Sequence, residues 1–116
     1  MADIKQIALA FSNGKFSEGY QYLAPDASWE IVGEKFLHGK QVIIDYCEQT
    51  AAYFKTVETV FSPDQIVQDG NVVVINGTAV FTNNEQKITM VSSCDMYVFE
   101  AELLKRIVSY CIVTNK

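Results

Sequence analysis

Histidine and proline are scarce in this chain of 116 residues, which has one imidazole, His38, and two prolines, Pro25 and Pro63. Its three cysteines, Cys47, Cys94 and Cys111, lack CxxC spacing, so no metal site is expected. An odd number of thiols reads as buried free cysteines in a reducing cytoplasm. Basic residues number nine against fourteen acidic ones, and they are scattered from Lys5 to Lys116 without a run. The net charge of −5 therefore argues against a nucleic-acid footprint or a phosphate ligand. No apolar run approaches the ~20 residues that cross a bilayer, so no membrane association is expected. Met1–Lys5 shows no charged-then-apolar leader pattern, and the expected location is cytoplasmic. Nothing in the sequence implies a cofactor.

What is present suits one globular domain spanning residues 1–116. Hydrophobic residues make up 49% and charged residues 20%, which excludes a disordered chain. A chain of this length buries roughly two thirds of its unfolded surface. Seven Phe, six Tyr and Trp29 supply material for lining a cavity.

The first half reads as helices. Ile4, Ile7, Ala8 and Phe11 share one face of a short helix that starts near Asp3 and stops at Asn13-Gly14. Phe16–Leu23 forms a second, ended before Pro25. Ala27–Gly33 reads as a short strand with Trp29 and Ile31 on one face. Lys40 to about Lys55 is the longest helix, with Ile43, Tyr46, Cys47 and Phe54 inward. The second half reads as four strands: Thr56–Gln68, bent or at an edge because of Pro63; Asn71–Thr82, with a bulge suggested by Gly77; Gln86–Phe99; and Leu104–Val113. Asp69-Gly70-Asn71 and Asn83-Asn84-Glu85 are the turns. The fold class is α+β, three N-terminal helices packed on one face of a curved antiparallel sheet.

Helices cover one sheet side only, yet both faces of the last two strands carry apolar residues. The face with Met96 and Cys111 is expected to pair with a second copy, giving a homodimer through the sheet.

Tyr22–Trp29, Leu37-His38-Gly39-Lys40, the strand Cys94–Phe99 and the closing Lys105–Tyr110 occur in an order that resembles the SnoaL-like members of the nuclear-transport-factor-like superfamily. These include polyketide cyclases and ketosteroid isomerases. The resemblance covers nearly the whole chain and implies a cystatin-like cone with an apolar pocket at its open end. It does not imply one activity. Matched to the ketosteroid isomerases, the general-base aspartate falls at Ile31, the oxyanion-hole tyrosine at Ile7 and the second oxyanion donor at Asp95. With no base at Ile31, steroid isomerisation is not expected. Polyketide cyclases of the family also use an aspartate, which the resemblance does not match to Asp95.

Asp95 is the leading candidate. A carboxylate facing an apolar cone loses hydration, so its neutral form becomes accessible and can donate a hydrogen bond. The matching aspartate of ketosteroid isomerase is a worked example of this effect. The alternative is a structural Asp bonded to Ser93, Tyr97 or helix backbone. Tyr97, Tyr110 and Ile112 are expected on the same face, where the two hydroxyls either orient a ligand or satisfy themselves in the core. Trp29 and Ile31 line the cone or pack it, and Tyr53 and Phe54 form its rim or pack helix on sheet. His38 is either a base near neutral pH or a cap at the helix start.

Two functions compete. One is a pocket that binds or acts on a small apolar, carbonyl-bearing molecule, with Asp95 as the acid. The other is a non-catalytic dimeric module whose cone is filled by its own side chains. A protein-interaction module has no supporting motif. The residues leave binding and catalysis both open.

Overall fold

A computed structural model describes residues 3–115. Helix α1 (Ile4–Ser12) is capped by the Asp3 side chain, which accepts the Lys5 N–H at 2.9 Å. A 3₁₀ helix (Phe16–Tyr22) follows, and α2 (Lys40–Phe54) is the long helix. Six strands, β1 (Leu23–Ile31), β2 (Lys35–His38), β3 (Glu58–Asp69), β4 (Val72–Thr82), β5 (Ile88–Glu100) and β6 (Leu103–Val113), form one sheet ordered β2-β1-β6-β5-β4-β3.

The sheet is mixed rather than antiparallel. β1 runs parallel to β6, because the chain returns from the 3₁₀ helix along the free edge of the β3–β6 meander. The helices also do not all precede the sheet, since β1 and β2 come before α2. Strand β2 was not expected. Its four residues are too few and too exposed to show a periodic pattern, and they pair with Ser28–Ile31. Strand β1 begins earlier than expected and contains Pro25. The proline is tolerated because the β1–β6 register shifts between Leu23 and Ser28, where no ladder bond is required of it.

Helix α1 packs on β4 and β5, and α2 on β1 and β2. Their buried stripes are Ile7, Ala8 and Phe11 from α1, and Ile43 and Cys47 from α2. Both join Trp29, Ile75, Tyr97, Phe99, Leu104 and Ile107 in one core. The expected bulge at Gly77 lies on the facing strand instead, between Pro63 and Gln65 of β3. Gly77 serves a different purpose: a Cβ there would sit 2.7 Å from the Phe61 ring, which lies across it.

A second register shift decides what the concave face carries. Phe99 pairs with Leu104, but Val98 pairs with Arg106, leaving Lys105 as an extra residue in β6. One added residue exchanges the two faces of everything beyond it. Ser109 and Cys111 therefore turn inward, opposite Asp95 and Ser93, and Tyr110 and Ile112 turn outward.

Candidate functional site

The concave face, α1 and α2 enclose a cavity of about 280 Å³, open at one end. Aromatic side chains make much of its wall. Phe54 stacks on Phe81 at 5.6 Å and on Phe16 at 6.2 Å, while Trp29 meets Tyr46 edge-on at 5.4 Å. Phe11, Phe61, Ile31, Ala79 and Val91 add to the apolar lining.

Asp95 lies in this wall and is 9% exposed. Its Oδ2 accepts the Ser12 hydroxyl at 3.0 Å, and Ser12 Oγ lies 2.7 Å from the Tyr97 hydroxyl. On the other side, the Trp29 indole N–H donates to Ser109 Oγ at 2.9 Å. An indole nitrogen can only donate, so the Ser109 hydroxyl proton is left free to turn toward Asp95, its cross-strand partner. Burial pushes the Asp95 carboxyl above its ordinary value, against the opposing effect of the Ser109, Ser12 and Tyr97 hydroxyls. Burial, reinforced by the charge of Asp95, also raises Tyr97 well above the usual phenol range, so its hydroxyl stays protonated.

Three further groups face the same space. Ser93 is buried beside Asp95 on β5. The Cys111 thiol is pushed up to about 11 by burial and then by the carboxylates of Asp95 and Glu34, although the residue as a whole stays exposed. It is thus a neutral thiol and a poor nucleophile at neutral pH. Glu34 reaches the cavity from the turn after β1.

The residues singled out from the sequence are distributed as follows. Asp95, Trp29, Ile31, Phe54 and Tyr97 line the cavity together. Tyr110 and Ile112 do not, being 51% and 63% exposed on the convex face because of the Lys105 bulge. Tyr53 is also exposed and packs outside the cavity, on Phe54 and Phe81. His38 ends the edge strand β2, is exposed and does not line the cavity. It does not cap α2 either, whose N-cap is Gly39 with no side-chain hydrogen bond. Ile7 is buried in the core, and the α1 residue that reaches Asp95 is Ser12. Ser12 falls one helical turn beyond Ala8, so a hydroxyl on the inward stripe was the available signal.

A family model described as a SnoaL-like domain matches residues 4–109. The chain belongs to the SnoaL-like family. An NTF2-like protein of unknown function from Cytophaga hutchinsonii is 36% identical, with a TM-score of 0.85 over 92% of this chain and 94% of that one. Two more distant structures share the fold of this SnoaL-like protein. A protein described as a SnoaL-like polyketide cyclase from Shewanella denitrificans is 20% identical, with a TM-score of 0.72 over 96% of this chain and 92% of that one. An epoxide hydrolase of LEH-like type from Mycobacterium tuberculosis is 16% identical, with a TM-score of 0.69 over 92% and 80%. No curated protein matches the chain.

Proposed function

We propose that this SnoaL-like protein binds a small, uncharged, carbonyl-bearing molecule in the cone, its oxygen facing a protonated Asp95. One observation carries the reading: a carboxyl raised by burial sits in the wall of an aromatic cavity. Ser12 occupies one of its oxygens, and the protonated form has a hydrogen left to donate. A dry cavity of 150 Å³ holds benzene, so about 280 Å³ suits roughly ten heavy atoms, one or two rings rather than four. Both that size and the apolar Ile31 argue against a steroid isomerase. A cone plugged by its own side chains is disfavoured, because Tyr110 lies on the other face and Trp29 is tied to Ser109 in the wall.

The test is the affinity for 2-indanone, a planar ten-heavy-atom ketone, measured by titration calorimetry. Asp95→Asn retains most of the affinity, since an amide also donates, while Asp95→Ala loses about tenfold. Equal affinity in all three proteins removes Asp95 from the site.

The convex face supports a second copy of the chain as partner. Val60, Val67, Val74, Met96, Tyr110 and Ile112 lie there, their paired neighbours on β4 and β5 between them are uncharged, and four of the six are exposed. Two copies each of net charge −5 repel elsewhere, so the uncharged face is where they meet most favourably.

A further inference from the structure

The six glycines are of two kinds. Gly33, Gly39 and Gly70 have positive φ and open space where a Cβ would stand, so backbone conformation explains them. Gly14, Gly19 and Gly77 instead lie under the rings of Phe54, Phe11 and Phe61, all of which line the cavity. Gly14, with φ +78°, is also required by its backbone. Gly19, in the 3₁₀ helix, and Gly77, in β4, have no positive φ. Glycine weakens a helix or strand whose conformation any residue adopts, so the ring above accounts for these two. We propose that Gly19 and Gly77 set the size of ligand the cone admits, by letting the Phe11 and Phe61 rings lie back in its wall. The inference deepens the ligand reading above and takes from it only that the cone is where the ligand sits.

Neither glycine lines the cavity, whereas both rings do, so each ring stands between its glycine and the open space. A Cβ on Gly19 would lie 2.3 Å from Phe11 Cε2 and 3.0 Å from Cδ2 and Cζ. Ordinary carbon contacts are about 3.5–4.0 Å, so the ring would have to retreat by roughly 1 Å. The rings of Phe16 and Tyr97 flank it, with centroids at 6.2 and 6.4 Å, which resists sideways movement and leaves the cone as the free direction. The three atoms nearest this Cβ all belong to the Phe11 ring, so a side-chain shift relieves the contact without moving backbone.

Gly77 acts from the sheet. It shares a face of β4 with Ile75 and Ala79, and pairs with Ser93 of the cavity wall. Phe61 pairs with Ala79 and leans across Gly77, placing its Cζ and Cε1 2.7 and 2.8 Å from where a Cβ would be. A methyl group there would lift the ring off the sheet and into the cone. The Ser62 carbonyl oxygen, also at 2.8 Å, makes this the stricter of the two positions. With both rings recessed the cone holds about 280 Å³ and takes a fused bicycle. A methyl at either glycine leaves room for a single ring.

The experiment compares 2-indanone with cyclopentanone, the same ketone ring without the fused benzene, by NMR titration of wild type and Gly19→Ala. Gly19→Ala should lose about tenfold in affinity for 2-indanone and stay within about twofold for cyclopentanone. In a Phe11→Leu background the same glycine substitution should cost less than about twofold, because the atoms it meets are gone. Gly77→Ala, paired with Phe61→Leu, is measured in the same way, so that loss of fold in one variant leaves the other decisive. Equal loss for the two ketones, no loss, or a loss undiminished by the leucine partner overturns the role of the glycine, since one needed only for folding weakens both ligands alike. Indane, the bicycle without its carbonyl, separates this result from the role of Asp95. A wild type that binds indane as tightly as 2-indanone overturns the carbonyl reading and leaves the size limit in place, and one that binds neither bicycle overturns both.

Discussion

Ser12 and Asp95, 83 residues apart, are joined by a 3.0 Å hydrogen bond that fixes the end of α1 to the middle of β5. This bond, continued to Tyr97 on one side and matched by the Trp29–Ser109 bond on the other, holds the one buried carboxyl of the cone in place. Ser12→Ala should cost about 1–3 kcal/mol, because it leaves Asp95 and Tyr97 short of a partner in a buried site. It should also move the Asp95 carboxyl further up, since the Ser12 hydroxyl opposes the effect of burial. Urea denaturation and a carboxyl 13C titration read the two effects. An unchanged urea midpoint would show that the bond is not part of the folded core.

Asp95 makes stability depend on pH in a definite direction. Its folded value lies above the ordinary 3.8, so between the two values the folded state binds more protons than the unfolded one. The stabilising contribution is therefore present below pH 3.8 and is lost as pH rises through the folded value, at about 1.4 kcal/mol per pH unit. Asp95→Asn cannot ionise and escapes that loss. Relative to wild type, its Tm should improve between pH 3.5 and pH 7 on the order of a few degrees. A Tm difference that is the same at both pH values would contradict the raised carboxyl.

The convex face gives a prediction of its own. Met96→Lys places a charge in the centre of the uncharged strip, where it faces its own copy in a two-fold pair. If this face is the interface, sedimentation should show a dimer for wild type and a monomer for Met96→Lys. A Met96→Lys dimer of unchanged strength would count against this face as the interface. Cys111, expected from the sequence on the same face, lines the cavity instead and is not a suitable position for that test.

Particular residues show where the sequence was legible. The stripe Ile4, Ile7, Ala8, Phe11 and the Asp3 cap gave α1 because helical spacing is local, and the Asp69–Asn71 turn gave the β3–β4 hairpin for the same reason. Strand faces are not local. Without an extra residue, the tight turn at Ala101-Glu102 would place Tyr110 beside Asp95's face, which is the reading the alternation suggests. Lys105 undoes it, and no residue pattern marks a charged bulge whose side chain pairs with Asp26 in another strand. The same slip hid Ser109 and Cys111. Ser12 and Glu34 escaped notice for a different reason: a helix-terminal serine and a turn glutamate ordinarily face water, and only the sheet's curl over them makes them part of a cavity.

The most direct test is the 13C resonance of 2-indanone labelled at its carbonyl carbon, observed as protein is added. A hydrogen bond from neutral Asp95 polarises the C=O bond, so the resonance should move downfield on binding, and Asp95→Ala should abolish the movement without displacing the ketone at saturating concentration. A bound ketone whose carbonyl resonance stays at its solution position, or moves equally with Asp95→Ala, would contradict the assignment of Asp95 as the hydrogen-bond donor of this cone.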